Sequence, residues 1–359
     1  MVAVQRAGGN KLRLLTKCEN RRKDTEKMRV AVIGGGGFGT ALAKLLAEAN
    51  HEVVLWCHSR EVARAIYERR ENLQYLPGVL LPETVRVTQS LAEAGRDSEM
   101  LVAMGPSHVM RSVVEQLRPH VHGTPILVSA AKGIEEKTYK RMTEVLLDVF
   151  GGAFVGRIAA LSGPSFAREI AAGMPTAVTV AAVEPATCHL VQSAFRTPTF
   201  RTYSSSDVVG VEIGGSAKNV LAIATGVSDG IGLGSSSRAA LITRGVAEIG
   251  RLVAAMHGDP RTVSGLSGLG DIVLTCTGEL SRNRTVGIRI GRGEHLSDIL
   301  ASMKMVAEGV RNSISVCELA KQTGTEMPIA EQVRQLLHEH KPARQVLDEF
   351  MSRESKPEF

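Results

Sequence analysis

The sequence predicts an α/β chain, with a parallel-sheet domain first and a mainly α-helical domain after it. Three observations carry that reading. Short β-branched runs alternate with helical spacing up to about residue 205, a glycine loop follows the first run, and long helical stretches dominate afterwards. Strands alternating with helices imply a parallel sheet covered on both faces. With 359 residues, the chain is long enough for two domains of roughly 150 residues each.

Met28–Ile33 is an apolar run that stops at Gly34, and it reads as a buried strand. Residues 39–49 place Leu42, Leu45 and Leu46 at helical spacing, and Glu52–Cys57 reads as a second strand. Further strand-like runs are Met100–Met104, Ile126–Ala130, Ala159–Leu161 and Thr176–Ala182, with helices expected over 107–118 and 138–149. Beyond residue 206 the helical stretches are 210–228, 235–257, 297–302, 308–323 and 328–339, broken by glycine loops at 230–234 and 264–270. The expected division is therefore a sheet domain over 28–205, a helical domain over 206–348 and a tail over 349–359. There is no internal repeat and no low-complexity tract.

The formal charge of +6 and the pI near 9.1 raise the question of nucleic acid. Their distribution argues against it. Residues 1–27 carry eight Lys and Arg against three Asp and Glu, so most of the excess sits there. Aromatics make up 4% of the chain, too few for a base-stacking platform. That first segment is expected to be a disordered or non-native extension, with Met28 as the natural start. It lacks the apolar stretch of a secretory signal, and its Glu19, Asp24 and Glu26 suit a transit peptide poorly. Five scattered cysteines without a CxxC pair suggest a reducing compartment, and no run reaches the ~20 apolar residues of a membrane span. A cytoplasmic location without stable membrane insertion is expected.

Thirty-six glycines, about a tenth of the chain, gather in short loops. The first loop, Gly34-Gly-Gly36-Gly-Phe-Gly39, fits G-x-G-x-x-G directly after a strand and opens a helix. Gly34 permits the tight turn, Gly36 lets backbone approach a pyrophosphate, and Gly39 allows close strand–helix packing. The sheet domain therefore reads as Rossmann-like, with the pyrophosphate of NAD or NADP at the helix N-terminus. An NAD site has an acidic residue about 20 residues further on. Here the second strand runs into Cys57-His58-Ser59-Arg60. Those residues either receive a 2′-phosphate, which favours NADP slightly, or form a solvated helix start.

Ligands of open parallel sheets bind beyond the carboxyl ends of the strands. Three strand ends run into small residues: Gly105-Pro-Ser107, Ala131-Lys132-Gly133 and Ser162-Gly163-Pro-Ser165-Phe-Ala167. The second delivers a lysine, as a functional group or a surface residue. In the helical half, Lys218 shares a helix face with Gly214, Gly215, Leu221 and Ala222, which leaves a slot above it. There it must pair, titrate or be used, unless it snorkels to water; burial and a second cation both lower a lysine pKa. Gly268-Leu-Gly270-Asp271 ends in a carboxylate, and Ser281-Arg282-Asn283 offers phosphate donors before a basic helix. His338-Glu-His340 reads as a solvated face, and no metal is called for. Gly163-Pro-Ser165 lacks the spacing of a nucleophile elbow.

Taken together, these motifs give a specific resemblance. Gly34–Thr40, Ala131–Gly133, Gly163–Ala167, Ser216–Val220, Gly268–Asp271, Leu274–Cys276, Ser281–Asn283 and Ala307–Gly309 stand in the order seen in NAD(P)-dependent glycerol-3-phosphate dehydrogenases of the bacterial type. The resemblance covers residues 28–345. It implies reversible hydride transfer between NAD(P)H and dihydroxyacetone phosphate for glycerophospholipid synthesis, in a homodimer. It implies that Gly37, Phe38, His58, Lys132, Ala167, Arg282, Val306 and Glu308 meet the cofactor. Lys132, Gly163, Ser165, Lys218, Asp271, Ser281, Arg282 and Asn283 would meet the substrate. Lys218 would be the proton acceptor, with Asn219 and Thr275 as secondary contacts. Gly37 replaces the Ser or Ala common in such proteins, which should tune cofactor affinity. The rivals are a β-hydroxyacid dehydrogenase and a cofactor-sensing module. The Gly268–Asp271 and Ser281–Asn283 motifs argue against the first, and Lys132, Lys218 and Asp271 against the second.

Overall fold

The computed structural model describes residues 27–303, 305–352, 354 and 358. The expected extension lies outside the described residues but for Lys27. Among the described residues ten strands occur: β1 Arg29–Ile33, β2 Glu52–Trp56, β3 Glu71–Asn72, β4 Leu76–Leu80, β5 Val85–Thr88, β6 Met100–Ala103, β7 Ile126–Ser129, β8 Ile158–Ser162, β9 Thr176–Ala182 and β10 Phe200–Ser205. Eight form one sheet in the order β10-β9-β8-β7-β6-β1-β2-β5, and β3 with β4 makes a separate hairpin.

The apolar runs are continuous because both faces of this sheet are covered. Val30 and Val32 of β1 join one core with Leu42, Leu45 and Leu46 of the helix Gly37–Glu48. Ala31 and Ile33 join the opposite core with Met110, Val114 and Leu117 of the helix Ser107–Leu117. The chain passes from β1 to β2 on one side and then returns to β6 on the other, so direction reverses between β1 and β6. Register pairs Ile33 with Trp56 and with Ala103, and Ala103 with Ser129. The loops after β1, β2, β6 and β7 therefore open side by side, where ligands of such sheets bind.

The parallel sheet expected from the strand–helix alternation is present, with one antiparallel pairing toward one edge. β8 pairs antiparallel with β9, and β10 follows β9 in parallel. A parallel return is usually carried by a full helix running back along the sheet; the connection between β8 and β9 holds only the five-residue helix Ala167–Ala171. The hairpin β3–β4 and the strands β5 and β10 lie outside the runs read from sequence. They are short or largely polar, as in Phe-Arg-Thr-Tyr-Ser-Ser of β10. The helices Leu91–Gly95, Pro185–Ala194 and Asp271–Thr277 likewise lie outside those runs, while Arg60–Arg69 is the helix start that the sequence offered as one alternative after the second strand.

The helical half is organised around Val208–Ile231, whose N-terminus is capped by Asp207 accepting from the Gly210 N–H at 2.9 Å. Apolar or small residues surround most of this helix, as befits one buried on nearly all sides. The helix Arg282–Gly291 presses most closely against it. A Cβ on Gly287 would stand 2.1 Å from the Ile223 carbonyl oxygen, and one on Gly226 would stand 2.2 Å from that of Arg284. The halves are tied by Glu212 of the central helix. Its carboxylate accepts from the Thr143 N–H at 2.9 Å and from Arg141 Nη1 at 2.9 Å, capping the helix Met142–Phe150. The expected loop at 264–270 is instead mostly helical: Leu266–Gly270 forms a π-helical turn. The last described helix, Ala343–Met351, runs past residue 348, where the helical part was expected to end.

Candidate active site

The glycine loop sits at the reversal point between β1 and β6. Gly34 adopts φ +138°, a backbone open to glycine, and a Cβ there would stand 3.0 Å from the Met104 carbonyl oxygen. A Cβ on Gly39 would lie 1.9 Å from the Gly34 carbonyl oxygen, so helix and turn meet only without a side chain. Gly36 is exposed, and a Cβ there would meet nothing within 4 Å. Gly36 is also the N-cap of Gly37–Glu48, and no side chain caps that helix. Its first N–H groups thus face an open approach, which fits a dinucleotide pyrophosphate.

Gly37, the departure from the common Ser or Ala, has a steric cause here. A Cβ would stand 2.7 Å from the carbonyl oxygen of Tyr75, which belongs to the β3–β4 hairpin, and 3.9 Å from Cβ of Ala167. Tyr75 and its hairpin are thus a wall of the loop that the sequence reading missed. Asn72 secures this wall, donating to the Gly35 carbonyl and to Thr40 Oγ1, each at 2.8 Å. At the end of β2, His58 and Arg60 are exposed, and neither pairs with a carboxylate among the described residues. Ser59 is different: its hydroxyl caps Arg60–Arg69, accepting from the Val62 N–H at 3.3 Å. A groove beside His58 is lined by Trp56, Gln89, Ser90 and Leu91.

The centre of the site is a carboxylate shared by two amines. Asp271, 1% exposed, accepts from Lys132 Nζ at 2.6 Å through Oδ2 and from Lys218 Nζ at 2.7 Å through Oδ1. Lys132 comes from the loop after β7, Lys218 from the central helix and Asp271 from the helix Asp271–Thr277. Residues separated by 53 and 139 positions thus converge on one group. Lys132 also donates to the Gly163 carbonyl at 2.9 Å and lies 5.7 Å from the centre of the Phe38 ring. Lys218 donates to Thr275 Oγ1 at 2.6 Å, and Thr275 donates to the Asp271 carbonyl at 2.7 Å. Lys218 is 5% exposed. Burial lowers its pKa to about 8; the Asp271 charge opposes that shift and the Lys132 charge adds to it.

The expected slot above Lys218 is corrected. The space left by Gly214 is taken by the π-helical turn, since a Cβ there would lie 3.1 Å from the Ser267 carbonyl oxygen. At Gly215 it would meet Ser162 Oγ at 2.6 Å. Gly214 lets neighbouring backbone close in and Gly215 admits the Ser162 side chain, so they do not leave a cavity on that face. The turn occupying it delivers Asp271. Such π-turns often occur at functional sites.

Ser281, Arg282 and Asn283 open the helix Arg282–Gly291, and the structure gives them unequal freedom. Ser281 is buried and caps the helix by accepting from the Arg284 N–H at 3.2 Å. Asn283 is held from both ends of its amide: it donates to Asn219 Oδ1 and accepts from the Gly309 N–H, each at 2.9 Å. Arg282 is exposed, and its Nη1 donates to the Val306 carbonyl at 2.8 Å. Glu308 starts the helix Glu308–Gln322, half-buried, and burial pushes its carboxyl up to about 7 against the pull of Arg282. Gly163 and Ser165 form the rim after β8, with the Ser165 hydroxyl donating to the Gly163 carbonyl at 2.7 Å. His338 is exposed, and its Nε2 lies 3.1 Å from both the Val310 carbonyl oxygen and Ser313 Oγ.

Sequence reasoning also passed over Asn312. It is fully buried, and its Nδ2 donates to the Lys132 carbonyl at 3.1 Å and to the Ser216 carbonyl at 3.2 Å. Its signal was available: it lies four residues after Glu308, on the same helix face.

Comparison with known proteins agrees with this architecture. Residues 29–188 match the family described as NAD-dependent glycerol-3-phosphate dehydrogenase N-terminus, and residues 207–348 match its C-terminus. The chain is 51% identical over 330 residues to a glycerol-3-phosphate dehydrogenase [NAD(P)+] of Geobacter sp. (strain M21), covering 92% of this chain and 98% of that one. A protein of the same name from Chlorobium phaeobacteroides is 47% identical over 331 residues, covering 92% and 99%. Among solved structures, the glycerol-3-phosphate dehydrogenase of Coxiella burnetii superposes with a TM-score of 0.87 at 36% identity, covering 91% of this chain and 99% of that one. Both halves of the fold and the identity along nearly the whole length place it without remainder: the chain belongs to the NAD-dependent glycerol-3-phosphate dehydrogenase family.

Proposed function

We propose that this chain interconverts sn-glycerol 3-phosphate and dihydroxyacetone phosphate, with Lys218 as its acid–base group. One observation carries the residue roles: the buried Asp271 carboxylate aligns the amines of Lys132 and Lys218 side by side. When bound, the nicotinamide accepts the hydride in oxidation and supplies it in reduction. In oxidation, neutral Lys218 takes the proton of the C2 hydroxyl; in reduction its ammonium returns that proton to the oxygen. Lys132 stabilises the negative charge that gathers on that oxygen, and Asp271 fixes both amines before the reaction begins. Arg282 offers a planar donor fork to the substrate phosphate. Asn283, already engaged through its amide, keeps one further N–H for that group. Ser281 would act mainly by holding the helix start that presents both. The rim of Gly163 and Ser165 would bound the substrate on the other side.

The cofactor would lie across the carboxyl ends of β1, β2 and β6. Gly34, Gly36, Gly37, Phe38 and Gly39 would meet its pyrophosphate, with Ala167, Val306 and Glu308 closing over it. His58 and Arg60, unpaired with acid, support a slight preference for NADP over NAD. Among the described residues no helix is long and apolar enough to cross a membrane. We infer a cytoplasmic homodimer working in the direction of reduction, with a functional division near residue 205. The test is an assay of dihydroxyacetone phosphate reduction by the purified chain, with NADH and NADPH side by side. Absence of turnover with either would overturn the reading.

A further inference from the structure

Lys132 is held by its main chain as firmly as by its amine. Its carbonyl accepts from two amides, Asn219 Nδ2 and Asn312 Nδ2, each at 3.1 Å. Asn219 adjoins Lys218 on the central helix. Asn312 comes from a different helix, Glu308–Gln322, and its second N–H reaches the Ser216 carbonyl at 3.2 Å. The Lys132 and Ser216 carbonyl oxygens therefore converge on one nitrogen. Without that nitrogen the two negative dipole ends would face each other in a buried setting, and the Lys132 carbonyl would keep Asn219 alone as its donor. The loop is packed tightly here: a Cβ on Gly133 would meet Ser107 Oγ at 2.5 Å and Asn312 Oδ1 at 3.2 Å. That oxygen has no partner among the described residues, so the amide's orientation is dictated by its two donated bonds.

We propose that Asn312 is a positioning residue, joining the strand-end loop to the central helix so that Lys132 and Lys218 stay at their working separation. Ser216 lies two residues before Lys218 and the Lys132 carbonyl lies on the lysine itself, so one amide sets the distance between the backbones that carry both amines. The same helix begins at Glu308, so the residue also links the cofactor side of the cleft to the amine pair. This role rests on Lys132 acting at the substrate oxygen, as argued above.

The test is a double-mutant cycle of Asn312→Ala and Lys132→Ala in the full chain, reading kcat and KM for dihydroxyacetone phosphate reduction together with melting temperature. Misplacing a catalytic group by an ångström costs on the order of a hundredfold. Asn312→Ala should therefore lower kcat roughly tenfold to a hundredfold, with the cofactor KM little changed. In the Lys132→Ala background the same substitution should lower kcat by less than about twofold, because groups acting through one another are not additive. An equal loss in both backgrounds would show that Asn312 only supports the fold, and would overturn the proposal. Full activity in Lys132→Ala alone would overturn the role of Lys132 and this proposal with it. Should Asn312→Ala not fold, Asn312→Asp takes its place in the cycle. It keeps the shape and loses at least one donor, and wild-type kcat in that variant would equally overturn the proposal.

Discussion

The two halves of the chain supply the candidate site with different chemical material. Residues 29–205 face it mostly with backbone: the uncapped first turn of Gly37–Glu48, the open Gly36 and the Gly163 carbonyl that receives Lys132. Residues 207–351 face it with buried or half-buried ionisable side chains, Lys218, Asp271 and Glu308, and with the exposed Arg282. Backbone groups do not titrate, and their placement depends on glycine and on strand register. Buried side chains titrate, and their placement depends on partners contributed by distant segments. Acid–base behaviour should therefore belong to the helical half and dinucleotide discrimination to the sheet half. Lys132 crosses that line, since a sheet-half loop carries it into the helical half's charge cluster.

The strongest way to break this contrast is to remove Lys218. Lys218→Ala should lower kcat by about 10²–10⁴, the range for a positioned acid or base, with dinucleotide binding unchanged. Lys218→Arg should not restore it, because a guanidinium stays protonated at any workable pH. The sign of the pH dependence follows from the lysine's lowered pKa. Oxidation needs the neutral amine, so its rate should rise as pH passes about 8. Reduction needs the ammonium and should fall over the same interval. Stopped-flow or steady-state pH profiles read both limbs; an oxidation limb that persists in Lys218→Ala would assign it to another group.

Next in size is the phosphate contact. Arg282→Ala should weaken use of the phosphorylated substrate by about 2–5 kcal/mol, the range for truncating one member of a hydrogen-bonded charge pair. Arg282→Lys should recover only part, since a point charge cannot match the planar fork. Ratios of kcat/KM measure this. Wild-type values in both variants would move the phosphate away from the start of Arg282–Gly291.

The same division explains what was legible before the structure. Local patterns were readable: the β1 run, the glycine loop, the span of β9 and most long helices of the second half. Lys132, Lys218 and Asp271 stood out beside small residues, but their roles came from the family resemblance and not from the local pattern. Non-local facts were not readable. That Asp271 bridges Lys132 and Lys218 depends on three segments meeting, which periodicity does not encode. The antiparallel β8–β9 pairing goes with a connection whose helix, Ala167–Ala171, is too short to run back along the sheet, which the strands themselves do not reveal. Gly214 and Gly215 were legible as small, yet whether a small residue leaves a hole or admits a neighbour is decided by what packs there. At Ser59 and Ser281 the sequence could not show the capping bonds, because serine at a helix start looks the same whether it caps the helix or binds an anion.

A smaller effect concerns cofactor choice, which the contrast assigns to the end of β2. The enzyme should use NADPH at least as well as NADH, since His58 and Arg60 stand where an acidic residue would select the unphosphorylated ribose. Comparing kcat/KM for the two cofactors checks this. A preference for NADH of tenfold, about 1.4 kcal/mol, would mean that these side chains only solvate the helix start.

The smallest effect separates capping from recognition within that same segment. Ser59 lies between His58 and Arg60, but its hydroxyl accepts from the Val62 N–H and so has a structural task already. Ser59→Ala should cost about 1 kcal/mol of stability, the usual value of an N-cap hydroxyl, seen as a lower urea midpoint. The ratio of NADPH to NADH efficiency should stay the same, because the backbone N–H groups of that helix start remain in place. Arg60→Ala should do the reverse: the exposed guanidinium leaves the fold intact when removed, while NADPH loses a charged donor and NADH does not. If Ser59→Ala lowers NADPH efficiency and spares NADH, the hydroxyl serves the 2′-phosphate as well as the helix. Discrimination at the end of β2 would then rest partly on a capping residue, and one hydroxyl would serve both the helix start and the cofactor.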